Sequence, residues 1–150
     1  MRIATWNVNS IGARIERVVE WLETTQPDVL AIQELKCTTE AFPEMPIQAL
    51  GYEVAAHGNG RWNGVAILSR VGLSDVTLDL TDQPSYDDVI ETRAVGATCN
   101  GVRVWSLYVP NGREPDHAHY AYKLQWLAAL KSTAEAELAA NPDLPYALTG

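Results

Sequence analysis

The chain has 150 residues, 47% of them hydrophobic and 20% charged, which are the proportions of one folded domain and exclude disorder, fibrous repeats or a multi-domain array. Eleven Lys+Arg against 19 Asp+Glu leave a net charge of −8, the wrong sign for a protein that holds nucleic acid or membrane surfaces by bulk basicity. Polyanion chemistry stays open only through a local site, where a metal ion can supply the positive charge. Cys37 and Cys99 stand far apart with no C-x-x-C, arguing against a disulfide framework or structural zinc and for a reducing compartment. Met1-Arg2 runs straight into strand-like sequence, so no secretory leader is expected, and no apolar run approaches the ~20 residues of a membrane helix. A soluble, cytoplasmic protein with no membrane partner and no obligate protein partner is the expectation.

Arg2 to Trp6 is short and β-rich, as in a strand buried on both faces. After the polar turn Asn7–Ser10, the residues Ile11, Ile15, Val18, Val19 and Leu22 recur at helical spacing among charged neighbours. Gln26-Pro27-Asp28 stops that helix, and Val29 to Ile32 is a second buried strand ending at Gln33-Glu34. This is a βαβ unit with a right-handed connection. Five strands follow over 52–57, 64–69, 73–80, 92–98 and 102–109, with Asn59-Gly60 and Asn100-Gly101 as hairpin turns. A helix from about His117 to Ala140 is expected to bury Tyr120, Leu124, Leu127, Leu130 or Lys131, Ala134 and Leu138. Asn141-Pro142 ends it, and Leu144 to Leu148 begins another strand. The acidic stretch 74–91 reads as a solvated hairpin or loop. The fold class is α/β (α+β): a mixed, mostly antiparallel sheet with helices on one outer face and the other face left for something else to cover.

Polar groups collect beyond three strand ends: Asn7 and Asn9, Glu34, and the run Tyr108 to Arg113. If the first two strands are parallel neighbours, Asn7 and Glu34 meet at one rim. A carboxylate beside carboxamide oxygens is hard-oxygen ligation, suited to Mg²⁺ or Mn²⁺. Spacing alone keeps the plainer reading in front, with Glu34 an ordinary exposed residue and Asn7 a turn former. His117 and His119 lie two apart on a helix and cannot share a ligand, so both read as first-turn surface residues, and His57 as a strand-end residue. No Ser-His-Asp or Cys-His arrangement, G-x-G-x-x-G or P-loop is present. Trp62, Trp105 and Trp126 read as core or interface aromatics; for Trp62, packing is preferred over stacking on a base.

Taken together, A-T-W-N-V-N-S at 4–10, Q-P-D-V-L-A-I-Q-E at 26–34 and S-L-Y-V-P-N-G at 106–112 closely resemble the endonuclease/exonuclease/phosphatase family. The resemblance extends to Leu50-Gly51-Tyr52 and to N-G-V-A-I-L-S-R at 63–70, and within the family it is to the bacterial abasic-site repair nucleases. It implies a four-layer α/β/β/α fold of the DNase I type, with residues 1–150 as the N-terminal half of a single domain. The chain is expected to stop where the family's Gly-Asp-x-Asn motif should start, and so to be silent by itself. The resemblance also implies roles: Glu34 ligates Mg²⁺ (Mn²⁺ can substitute), Asn7 helps order the metal and the scissile phosphate, and Tyr108 contacts that phosphate. Asn9 falls near the metal water, while Asn111 and Arg113 fall where relatives touch the DNA backbone. Arg14, Lys36 and Arg61 are local cations for DNA. Leu35 departs from a common Gln-Glu-Thr-Lys. The implied function is Mg²⁺-dependent hydrolysis of DNA phosphodiesters, as an abasic-site endonuclease and 3′–5′ exonuclease acting on double-stranded DNA. Its rivals are a family phosphatase or phosphodiesterase on phospholipid or another phosphoester, and a silent half-domain that only binds a partner.

Overall fold

The computed structural model describes all residues 1–150. Its elements, in chain order, are β1 (Ile3–Asn7), α1 (Ile11–Thr25), β2 (Val29–Gln33), α2 (Glu44–Gln48), β3 (Glu53–His57), β4 (Val65–Ser69), β5 (Ser74–Leu78), β6 (Ala94–Cys99), β7 (Val102–Leu107), α3 (Ala118–Ala140) and β8 (Tyr146–Thr149). The strands form two four-stranded sheets, ordered β1-β2-β4-β3 and β5-β6-β7-β8. Strand β1 pairs parallel to β2, with Asn7 opposite Gln33, and β7 pairs parallel to β8; the other neighbours are antiparallel.

The alternation of side chains along β2 and β4 explains the layering. Leu30, Ile32, Ala66 and Leu68 face α1, where they meet Ile11, Val18 and Leu22. Val29, Val65 and Ile67 face the other way and pack on Val95, Ala97, Cys99 and Val104 of the second sheet. Ala94, Trp105 and Leu107 on that sheet's far side receive Tyr122, Trp126 and Ala129 of α3. The order is therefore helix, sheet, sheet, helix. The mixed, largely antiparallel fold class stands, but one expectation within it does not. Helices cover both outer faces, and the apolar sheet face expected to be bare is covered by the chain's own second sheet. The sequence placed all strands in one sheet because hydrophobic alternation shows that a face is buried without showing against what.

Two further expectations are corrected. Helix α3 buries His119, Tyr122, Trp126, Ala129 and Thr133, while Tyr120, Leu124 and Leu138 are exposed. Alanines all around this helix give it no clear apolar stripe, so the bulk of Trp126 sets the buried face instead. Gly96 makes room opposite, since a Cβ there would stand 2.7 Å from the Trp105 ring. Asn100-Gly101 is the expected two-residue hairpin turn, with φ of 48° and 78°. Asn59-Gly60 is not a tight turn; it lies in the longer loop 58–64, where Asn59 forms a bridge with Thr38. Both cysteines are free thiols. No helix is long and apolar enough to cross a membrane.

Candidate active site

Backbone hydrogen bonds sew five loops into one rim. Ser10 N–H donates to the Glu34 carbonyl at 2.8 Å and Ile11 N–H to Leu35 at 3.0 Å, joining the turn after β1 to the turn after β2. Leu35 and Lys36 donate to the carbonyls of Gly64 and Asn63, at 3.1 and 3.0 Å. Gly64 donates to Thr92 at 2.9 Å, and Tyr108 to Arg93 at 2.8 Å, which carries the same rim onto the second sheet. Glu34, Lys36 and Asn9 have φ of 59°, 53° and 45°, a left-handed conformation unusual outside glycine. Such conformations persist only where surrounding bonds over-determine them, and they collect at functional sites.

On this rim the Asn7 side-chain oxygen accepts the Asn9 N–H at 3.1 Å, an Asx turn that fixes the carboxamide. Lys36 donates its ammonium to the Asn9 side-chain oxygen and stands 3.6 Å from a Glu34 carboxylate oxygen. Beneath them, Gln33 donates to Ser106 Oγ at 3.0 Å, and Ser106 donates in turn to the Ile32 carbonyl at 2.9 Å. These buried bonds cross between the sheets one residue before Glu34 and two before Tyr108.

Tyr108 brings a phenol to the same place. Burial foremost, then the Glu34 carboxylate beside it, push its pKa above the ordinary value, with Arg93 opposing. The phenol therefore keeps its proton at neutral pH and is a donor. Arg93 and Glu91, neither of them among the expected site residues, lie here as well. Arg93 is 6% exposed; its guanidinium lies 4.8 Å from the Tyr108 ring centre and donates to the Tyr108 carbonyl at 3.2 Å. Glu91 pairs with Arg93 at 3.1 Å and accepts from the Asn63 side chain at 2.8 Å. Burial raises the Glu91 carboxyl, but Arg93 and the Asn63 hydrogen bond together hold the pKa below the ordinary value. Glu91 is thus corrected from a member of a solvated acidic loop to half of a largely buried ion pair. The signal that could have found it was an arginine, Arg93, opening a strand that is otherwise apolar.

The other expected residues are placed less tightly. Arg14 is exposed in the first turn of α1, with no side-chain hydrogen bond or ion pair to the rim. Asn111 and Arg113 are exposed in the loop after β7, where the Asn111 side-chain oxygen accepts the Arg113 N–H at 2.9 Å. Arg61 lies over the Trp62 ring at 5.3 Å. Trp105 and Trp126 are fully buried as expected, whereas Trp62 is 65% exposed, so the packing preferred for it is overturned. His119 is corrected as well: it is 8% exposed and bonds through Nδ1 to the Asn111 carbonyl at 2.8 Å, bracing the loop that follows β7. His57 ends β3 as expected and meets Asp79 at 2.8 Å.

The donor set suits a hard divalent cation. Glu34 keeps 21% of its side chain exposed and has one cation near it, Lys36, so its oxygens retain acceptor capacity. One carboxylate with a neighbouring carboxamide fits Mg²⁺ or Mn²⁺, ions that keep several of their waters. Glu34 and Asn7 are the residues that would hold it.

Comparison with known proteins agrees with this architecture. The chain is 39% identical over 70 residues to exodeoxyribonuclease III of Haemophilus influenzae, covering 47% of this chain and 26% of that protein. It is 28% identical over 116 residues to the DNA repair nuclease APEX1 of Danio rerio, covering 74% and 36%. Among solved structures, a 3′–5′ exonuclease from Neisseria meningitidis matches at 39% identity with a TM-score of 0.85, covering 93% of this chain and 53% of that one. An AP endonuclease from Archaeoglobus fulgidus matches at 40% identity and TM-score 0.83, covering 91% and 51%. The chain thus spans about half the length of these structures and less of the curated relatives. The match to the endonuclease/exonuclease/phosphatase family runs over residues 4–150, nearly the whole sequence, and the chain belongs to that family.

Proposed function

We infer that this chain carries catalytic groups of a divalent-metal-dependent DNA repair nuclease. The complete enzyme hydrolyses the phosphodiester beside an abasic site in double-stranded DNA and trims 3′ ends. The observation that carries the reading is the rim to which backbone hydrogen bonds tie the turn at Glu34 from one sheet and Tyr108 from the other, with Asn7 opposite Gln33 at the same edge. The DNA-repair names of the relatives support it. Mg²⁺, held by Glu34 and Asn7 when bound, supplies charge neutralisation at the phosphate. The protonated Tyr108 donates to a phosphate oxygen whose negative charge grows as the phosphorus is attacked. Lys36, hydrogen-bonded to Asn9 beside Glu34, adds a fixed positive charge. Arg14, Asn9, Asn111 and Arg113 contact the DNA backbone, so binding depends on a few local contacts, consistent with a net charge of −8. The protein acts in the cytoplasm.

The test uses a labelled duplex with one abasic site and the full protein. Incision on the 5′ side of the lesion, abolished by EDTA and restored by Mg²⁺, is expected. Intact substrate under all metal conditions, or incision indifferent to EDTA, would overturn the reading.

A further inference from the structure

Beside the rim lies a shallow cavity of about 270 Å³. Trp62, Tyr86 and Val89 form its apolar surface, and Asn59 and Asn63 give it carboxamides. Asp87 and Glu91 bring carboxylates to it, and Thr92, only 5% exposed, contributes a hydroxyl with no hydrogen-bond partner in the protein. One wall is rigid: Tyr86 and Val89 exchange both backbone hydrogen bonds, at 2.9 and 3.0 Å. The turn between them has φ of 49° and 61° at Asp87 and Asp88, a tight two-residue hairpin that aspartate tolerates. The cavity shares Asn63 and Glu91 with the Arg93–Tyr108 cluster, so it adjoins the candidate active site.

We propose that this cavity is a subsite for one unpaired nucleobase, that of the 3′-terminal nucleotide of the DNA, stacked on Trp62. This rests on the nuclease reading above and deepens it. Two carboxylates at the cavity disfavour a phosphate, whereas an aromatic face with amide, carboxylate and hydroxyl groups around it matches the face and edge of a base. The volume falls just below the ~300–1,000 Å³ usual for drug-sized ligands, which suits a base and not a whole nucleotide. Trp62 is 65% exposed and borders the cavity, and the Arg61 guanidinium lies over its ring at 5.3 Å, so a base that reaches the indole there meets a cation close to its adjoining backbone. A base paired within a duplex keeps both faces stacked and cannot enter; a frayed or mismatched terminal base can.

The full protein is tested on a recessed duplex whose 3′-terminal base is mismatched and, in parallel, on an abasic duplex with paired ends. Trp62→Ala should raise KM for removal of the mismatched terminal nucleotide by about tenfold, the usual weight of one base–aromatic stack. Abasic incision should stay within about twofold of the parent, and Trp62→Phe should restore most of the loss. With 2-aminopurine as the terminal base, in EDTA, the parent should quench its fluorescence on binding and Trp62→Ala should not. Unchanged KM and quenching in Trp62→Ala would overturn the subsite while leaving the nuclease reading intact. An equal loss on both substrates would also overturn it, by making Trp62 a general DNA or partner contact. A parent protein that cleaves neither substrate would overturn both readings together.

Discussion

Replacing Arg93 by Met tests the ion pair that underlies the candidate site. Methionine keeps much of the stem's volume and removes the charge, the bonds to Glu91 at 3.1 and 3.4 Å and the bond to the Tyr108 carbonyl at 3.2 Å. Breaking one side of a fully buried pair typically costs ~3–5 kcal/mol. Here the Glu91 side chain is 18% exposed against 7% for Arg93, so solvent screens the stranded carboxylate and the expected loss at pH 7 is about 2 kcal/mol. For a domain of this size that corresponds to a fall in Tm of about 4–8 °C. The pH dependence gives a second handle. In the parent, the Glu91 pKa lies below its ordinary 4.5, so the pair's contribution is full above that value and is lost as pH falls through the folded-state pKa. In Arg93→Met burial, which favours the protonated acid, is opposed by the Asn63 hydrogen bond and no longer by the guanidinium. The gap between the two proteins should therefore close as pH drops below about 4.5. Urea unfolding at pH 7 and in a series down to pH 4 measures both. A loss below about 0.5 kcal/mol at pH 7, or a gap that does not change with pH, would refute the assignment of Arg93 as the partner that keeps Glu91 ionised.

Glu34→Gln should leave the fold intact but weaken Mg²⁺ binding and depress cleavage by orders of magnitude; a parental rate at limiting Mg²⁺ would remove Glu34 from the site. Tyr108→Phe should lower kcat by about 10²–10³ with little change in KM, as expected for a donor used mainly in the transition state. Steady-state kinetics showing only a raised KM would make the phenol a positioning group. Gly96→Ala should destabilise by about 1–3 kcal/mol in thermal unfolding, because its methyl would meet the fully buried Trp105 ring at 2.7 Å. A neutral result would mean that Trp105 can shift to accommodate it.

Much of the fold was legible because its strands are short apolar runs bounded by turn residues, and because the β1–α1–β2 unit has one common geometry. The pairing of Asn7 with the end of β2 followed from that geometry alone. What stayed hidden was long-range. Nothing local says that β6 and β7 pack against β2 and β4 across a second sheet, since a two-faced buried strand reads alike whether a helix or a sheet covers it. The buried face of α3 was hidden for a related reason: its alanines blur the helical stripe, and Trp126 outweighs Leu124 by bulk. In the site, Glu34 and Tyr108 stood out as polar groups at strand ends. Glu91 was masked by the acidic run around it, and its partner Arg93 by the apolar strand that follows.

The Gln33–Ser106–Ile32 bonds have a bearing on how this molecule can change. They pin the two sheets at a buried point adjacent to Glu34 and Tyr108, so the span between carboxylate and phenol is set from inside the sandwich. The surface loops that carry Arg61, Trp62 and Asn111 to Arg113 lie outside this pin, joined to the rest by bonds of their own. Substitutions, or even insertions, in those loops can reshape the border of the site while Glu34 and Tyr108 hold their alignment. A single interior change at Gln33 or Ser106, far less conspicuous, would throw that alignment out of true in every such variant at once.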